Sequence, residues 1–396
     1  MSFKLLILGP GAPDRNTSGL GKAAHHIAEE LSKKISLTLV EPSKIEELNV
    51  KQKVAETSNF SDLSVLKEMA TVSIESQLSA YHYQEVTHSN TQEKIESHRL
   101  HQQLVEFSNE LVLEGQEIDF DAIYAHDWIT FKAALELKEK FAKPLLLHVH
   151  SLDVDRNFGQ HGSWIFDLEQ NAMQQADAVI AVSHYSKSVI IEQYGIAEDK
   201  IHVIYHGHHP ETPIKVKSPF EEKIVLFVGR LAGQKGPMQF LEIAEKIAQE
   251  YPETRFVMSG DGELYKRLIE AGAGSAIASR FHITGHLDQD DLKKLYAIAD
   301  VYCMPSFSEP FGLTALEAAS AGVPMVLSDR CGAAEILPEA TLVSPEDTDM
   351  FASKIVSILQ NPKLSMHAVA VNQEQIKNLT WERSASKILA VLESII

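Results

Sequence analysis

The sequence predicts an α/β protein built from two Rossmann-like, doubly wound parallel-sheet domains facing each other across a cleft. Short apolar runs alternate with amphipathic stretches along nearly the whole chain, the pattern of repeated βαβ units. A proline-rich segment poor in apolar residues divides that alternation into two series. Glycine-bearing turns follow several of the apolar runs and lead into helical patterns, as expected where ligands meet the carboxyl ends of parallel strands.

In the first series the expected strands are 4–8, 37–40, 122–124, 145–150, 178–182 and 202–205, with helical patterns between them. The stretch 45–117 differs: it is polar, rich in Gln, Glu, Ser and His, and its apolar residues fall at helical spacing. It reads as two or three loosely connected helices. Residues 210–219, Pro-Glu-Thr-Pro-Ile-Lys-Val-Lys-Ser-Pro, form the expected interdomain linker. The second series places strands at 224–228, 255–259, 281–284, 301–304, 325–328 and 341–343. Thr380-Trp-Glu-Arg383 then opens a last amphipathic helix that runs to Ile396.

Composition narrows the function. With 396 residues and 44% apolar content, each half can bury a core of its own. Lys+Arg 36 against Asp+Glu 55 gives a formal charge of -19, which opposes encounter with nucleic-acid backbones and anionic membrane surfaces. The apolar run before Gly9 and Pro10 is too short for a membrane span or a signal-peptide core. Cys303 and Cys331 offer neither a disulfide framework nor a metal-binding spacing, so a reducing cytoplasm is the expected compartment.

The sharpest chemical signal is the stretch 304–324, Met-Pro-Ser-Phe-Ser-Glu-Pro-Phe-Gly-Leu-Thr-Ala-Leu-Glu-Ala-Ala-Ser-Ala-Gly-Val-Pro. A strand ends, a turn follows, and Gly312 lets the backbone enter a helix near Leu313. The free N–H groups and positive dipole end of that helix suit a phosphate. Glu309 stands before the helix and Glu317 one turn inside it. Sugar hydroxyls are donors, so one carboxylate can accept from a hexose and the other can clamp two ribose hydroxyls. Taken singly, each Glu is also an ordinary turn or solvated helix residue.

Val228-Gly-Arg-Leu-Ala-Gly-Gln-Lys-Gly236 supplies a second signal, with glycines for close backbone approach and two cations, Arg230 and Lys235, placed to meet a diphosphate. A departing nucleoside diphosphate gains negative charge in the transition state, and fixed cations stabilise it without a metal. Gly229 opens this loop. Asp261 and Gly262, in Ser259-Gly-Asp-Gly262, close the next strand in the same way, and His286 follows the strand after that.

These motifs together resemble glycosyltransferase family four, and glycogen-synthase-like members in particular: the glycine loop with Arg and Lys, the Ser-Gly-Asp-Gly turn, and Glu-Pro-Phe-Gly with a second Glu eight residues on. The similarity covers almost the whole chain. It implies a GT-B fold, a nucleotide-sugar donor in the C-terminal half, retention of anomeric configuration, and no cofactor or metal. It also implies that Arg230 and Lys235 contact the diphosphate, Glu309 the donor sugar and Glu317 the ribose, with backbone N–H groups of Phe311, Gly312, Leu313 and Thr314 at the phosphates. The last helix, in this family, crosses back with Trp381 as its anchor. The expected domains are therefore 1–212 with 380–396, facing the acceptor, and 213–379, holding the donor.

On the N-terminal side, the turn at 9–13 leads to Thr17-Ser-Gly-Leu-Gly21 and a helix near Lys22. The family's Gly-Gly loop falls here, which places Gly19, Leu20 and Gly21 near the donor phosphates; Ser18 replaces the first Gly. His148 and His150 end a strand on one face. His150 with Asp153 and Arg156 resembles the cleft residues after this strand in glycogen-synthase-like members, where an imidazole bonds a donor-sugar hydroxyl. Ala125-His-Asp-Trp128 is similar to a cleft tripeptide of glycogen and sucrose synthase relatives; Asp127 either orients the acceptor or caps the next helix. Tyr205-His-Gly207 matches the approach to the linker, with His206 where many members carry Asn.

The expected activity is hexosyl transfer, glucose first, from a nucleotide diphosphate sugar to a soluble sugar or glycan acceptor rather than a lipid, with nucleic acid excluded. A nucleotide-sugar isomerase or hydrolase of the same architecture, and a silent nucleotide-sugar sensor, are the competing readings.

Overall fold

The computed structural model describes residues 3–9, 19–43, 69–75, 92–209 and 214–396. Much of the 9–13 turn, Thr17 and Ser18, the start of the linker and large parts of the 45–117 stretch lie outside the described residues.

The first sheet contains β1 (Lys4–Leu8), β2 (Ser36–Ser43), β3 (Met69–Glu75), β4 (Ala122–His126), β5 (Leu145–Val149), β6 (Ala178–Ala181) and β7 (Ile201–Val203). All pairs are parallel, in the order β3-β2-β1-β4-β5-β6-β7. The helices between them are α1 (Gly19–Ser32), α2 (Gln92–Glu114), α3 (Trp128–Phe141), α4 (Asp153–Arg156), α5 (Trp164–Gln175) and α6 (His184–Tyr194). Six strands were expected and seven form. The additional strand, Met-Ala-Thr-Val-Ser-Ile-Glu, lies inside the stretch read as helices only. Its Thr-Val-Ser-Ile alternation is a strand period, outweighed in the sequence reading by the helical spacing of the surrounding polar residues. The 23-residue α2 of the same stretch is a helix as expected.

The reason β1 is a continuous apolar run is visible in its packing. Leu6 and Leu8 enter a core formed with α2, α3 and α5, while Leu5 and Ile7 enter a second core on the opposite face. A strand covered on both faces has no solvent side to carry polar residues. The second core is closed by α1 and by the last helix of the chain, α13 (Trp381–Ile395), through Trp381, Ala385, Ile388 and Leu392 at helical spacing. Thr380 caps α13 by accepting from Arg383 N, and Leu379 O accepts from His208 N at 2.7 Å where the chain crosses back.

The second sheet runs β8 (Lys223–Val228), β9 (Thr254–Ser259), β10 (Phe281–Gly285), β11 (Val301–Met304), β12 (Met325–Ser328) and β13 (Thr341–Val343), in the spatial order β10-β9-β8-β11-β12-β13, again all parallel. Its helices are α7 (Pro237–Glu250), α8 (Tyr265–Gly274), α9 (Gln289–Ile298), α10 (Leu313–Ser320), α11 (Thr348–Gln360) and α12 (Pro362–Ile376). Here α7, α8 and α11 cover one face, and α9, α10 and α12 the other. In both sheets the chain starts in the middle and reverses direction across the first strand, between β1 and β4 and between β8 and β11. The loops splay apart at such reversals and leave a crevice at the strands' carboxyl ends. No helix among the described residues is long and apolar enough to cross a membrane.

Candidate active site

A cleft of about 490 Å³ lies between the carboxyl ends of the two sheets. Its C-terminal wall is made by the loops after β8, β9 and β10, tied to one another through the backbone. Gly229 N donates to Ser259 O (3.0 Å), Leu231 N to Asp261 O (2.8 Å) and Gly260 N to Gly285 O (2.9 Å). The approach at Gly260 is so close that a Cβ there would lie 1.8 Å from Gly229 O, and its φ is +143°. Only glycine satisfies both conditions. Gly229, Arg230, Lys235, Asp261 and His286 all line the cleft; Gly262, beside them, packs on the backbone of Leu231.

The same wall continues into α10. Gly312 takes φ 107° to turn the chain, and Leu313 begins the helix, so its unpaired N–H groups face the cleft bordered by Phe311, Gly312, Leu313 and Thr314. Glu309 is 8% exposed and its backbone is held on both sides, its N–H donating to Arg330 O and its carbonyl accepting from Gly332 N, each at 2.9 Å. Lys235 Nζ reaches its carboxylate at 2.6 Å. A cation and a carboxylate 74 positions apart are thus paired at the cleft wall. Glu317 does not line the cleft: it accepts from Tyr296 Oη at 3.0 Å, one turn inside α10.

From the opposite wall, α1 starts at Gly19, where a Cβ would meet Leu313 Cδ1 at 3.6 Å. The amino ends of α1 and α10 therefore abut, which concentrates two positive dipole ends at one place. Gly19 and Leu20 border the cleft, whereas Gly21 is buried within α1.

His150, just beyond β5, also lines the cleft with Ser151 and His206. Its position is set by Asp127. This buried residue has φ 58°, a strained value for a non-glycine, and its Oδ1 accepts from His150 N (2.6 Å) and Ser151 N (3.3 Å). Asp127 makes no side-chain cap to α3 and does not border the cleft. The side-chain cap expected as one alternative does not form; the carboxyl instead anchors the turn that presents His150. Burial pushes its carboxyl up to about 7, against the lowering effect of those two N–H donors.

Asp153 and Arg156 are likewise placed differently from the sequence expectation. Both are buried beneath the cleft wall, Arg156 bonding Glu169 at 2.9 Å and Ser151 Oγ at 2.8 Å, and Asp153 accepting from Ser163 Oγ at 2.6 Å. A buried guanidinium needs such partners, and Glu169 supplies the charge from α5, thirteen residues on. This ion cluster braces the segment that follows His150.

His126 and His148 stack behind His150, which stacks in turn on His206 at the cleft, and all four are buried. Burial, together with the neighbouring imidazoles, lowers the basicity of this group; for His126 and His206 the value falls to about 3.

Sequence reading missed the contacts that join the two halves. Glu335, from the C-terminal half, accepts from His184 N (2.9 Å) and Tyr185 N (2.7 Å) at the start of α6 and from Tyr205 Oη (2.9 Å). Ser183 Oγ donates to Pro310 O at 2.6 Å, and Ser308 Oγ donates to the buried Asp155 at 2.6 Å. A Ser, a Glu and an Asp distant in sequence carry no spacing signal; only the N-capping pattern Ser-His-Tyr-Ser before α6 marks one end of this junction.

Comparison with known proteins covers both halves. The family model described as "Glycosyltransferase Family 4" matches residues 17–212, and that described as "Glycosyl transferases group 1" matches residues 209–375. An uncharacterized glycosyltransferase of Methanocaldococcus jannaschii is 29% identical over 292 residues, 69% of this chain and 75% of its own. A glycogen synthase of Mycobacterium tuberculosis is 28% identical over 280 residues, 67% of each chain. Among solved structures, a sucrose-phosphate synthase of Thermosynechococcus elongatus superposes with a TM-score of 0.77 at 21% identity, covering 99% of this chain and 98% of its own. The fold is GT-B.

Proposed function

This chain belongs to glycosyltransferase family four, and from that premise we propose that it transfers a hexose, glucose first, from a nucleotide diphosphate sugar to an acceptor hydroxyl with the anomeric configuration retained. The observation that carries this reading is the convergence of Arg230, Lys235 and the amino end of α10 on one cleft wall, met from the opposite wall by the amino end of α1, with Glu309 in contact with Lys235. Two cations and two helix starts suit a diphosphate, and the adjoining carboxylate suits the hydroxyls of the attached sugar.

A diphosphate competes with Glu309 for Lys235. Once Lys235 Nζ turns to the phosphate oxygens, the Glu309 carboxylate is released to accept from hexose hydroxyls. The bond between C1 and the β-phosphate oxygen then breaks while the acceptor oxygen bonds C1 from the same face. The acceptor proton passes to the departing phosphate, whose growing charge is met by Arg230, Lys235 and the α10 N–H groups. His150, held by Asp127, contacts the sugar from the N-terminal wall. The similarity to a glycogen synthase favours glucose and a soluble glycan acceptor. Cytoplasmic action and a transfer that requires no metal or other cofactor belong to the same proposal.

The test is turnover with a panel of uridine, adenosine and guanosine diphosphate sugars, following the product anomer by NMR. Lys235→Ala and Glu309→Ala each lower turnover by roughly ten- to a thousandfold. An inverted linkage removes the retaining mechanism. Unchanged turnover in both variants removes the site, and donor loss equally fast without acceptor favours a hydrolase.

A further inference from the structure

At the back of the cleft, reaching inward from His150, the rings of His126, His148 and His150 bring one nitrogen each within 4.8 Å of the others. The arrangement is a product of sheet register: His126 on β4 pairs with His148 on β5, and His150 follows two residues later on the same face. Ring centroids are 4.1 Å apart for His148 and His150, 5.3 Å for His126 and His148, and 5.2 Å for His126 and His150. One ring nitrogen of the group, His148 Nε2, is buried with no hydrogen-bond partner, a state that buried polar atoms in folded proteins rarely tolerate.

We propose that these three imidazoles form a binding site for a divalent transition metal, Zn²⁺ first. Imidazole nitrogen suits Zn²⁺, Cu²⁺ and Ni²⁺, whereas Mg²⁺ and Ca²⁺ take oxygen ligands. The outer contacts point the same way. His148 Nδ1 lies 2.6 Å from Tyr124 Oη, and His150 Nδ1 lies 3.3 Å from His206 Nε2. With each Nδ1–H donating outward, both rings present a bare Nε2 lone pair inward, the tautomer a metal requires. His126 Nδ1 then faces His150 Nε2 at 2.9 Å, a separation that a shared proton or a shared cation satisfies. Zn–N bonds of about 2.0–2.1 Å in a tetrahedron set the ligand nitrogens roughly 3.4 Å apart, so the rings pivot by about an ångström. Asp127, which accepts from the His150 N–H, fixes the backbone that carries the third imidazole. Because His150 also borders the cleft, a bound metal holds it away from the donor and slows transfer; this consequence, unlike the binding itself, rests on the transferase reading.

The experiment uses the full chain stripped with EDTA, dialysed against ZnCl₂ and counted by elemental mass spectrometry, with X-ray absorption on the wild type. The expected result is one zinc per chain with a first shell of three imidazole nitrogens. Co²⁺ in its place gives the visible band of a tetrahedral site. His148→Leu and His126→Leu weaken binding by a hundredfold or more, while His26→Ala, in the separate His25, His26 and His209 group near Trp381, leaves it intact. No retained zinc, an oxygen-rich shell, or zinc that is lost with His26 overturns the proposal. The absorption measurement on the wild type decides it even if the leucine variants fail to fold. Zinc bound in this shell without slowing turnover leaves the metal site standing and removes only the donor contact of His150.

Discussion

Gly260→Ala tests the cleft wall without altering a polar side chain. A methyl at Gly260 would stand 1.8 Å from Gly229 O, and side-chain carbons essentially never approach within 3.0 Å, so the Gly229 loop must retreat by more than an ångström. That loop carries Arg230 and leads to Lys235. A displacement of about 1 Å in a positioned group costs roughly a hundredfold in rate, equivalent to ~2.7 kcal/mol of transition-state stabilisation. The φ of +143° adds strain of about 1–3 kcal/mol for any residue with a Cβ. At about 2–4 °C per kcal/mol for a domain of this size, the melting temperature falls by roughly 2–12 °C. The assay is kcat/KM on the best donor beside a calorimetric melt. A variant that keeps turnover within about threefold and melts where the wild type does would show that the backbone packing at this wall does not place the cations.

Other consequences of the structure are open to the same measurements. Glu335→Ala removes the acceptor for His184 N, Tyr185 N and Tyr205 Oη, loosening the junction between the halves; small-angle scattering is expected to show a larger radius of gyration and kinetics a raised KM, while stability falls by no more than about 1 kcal/mol because the carboxylate is exposed. Trp381→Ala deletes an anchor only 4% exposed and is expected to cost about 3–5 kcal/mol on chemical denaturation, with α13 the first helix to lose protection in hydrogen exchange. Arg156→Met leaves Glu169 buried without its charge partner, so unfolding free energy drops by about 3–5 kcal/mol; a fully stable variant would instead return Arg156 to a binding role.

What the sequence determined by itself is whatever local periodicity and loop chemistry encode. Doubly buried strands such as Leu5 to Leu8 must be continuous apolar runs, and a tight turn from strand to helix needs glycine, so twelve of the thirteen described strands and the loops around Gly229 and Gly312 were legible. The strand Met69–Glu75 was not, because its short alternation is set in a polar stretch whose longer-range spacing is helical. Tertiary structure alone decided which polar residues face the cleft. His150 and Asp153 lie three apart, yet one borders the cleft and the other is buried on Ser163 and Asn157, since burial depends on what α5 packs above them. The pairing of Lys235 with Glu309, the reach of Glu335 to α6 and the meeting of His126 with His148 join residues from different loops and strands. Such contacts are set by sheet register and by how the halves dock, quantities that no run of neighbouring residues contains.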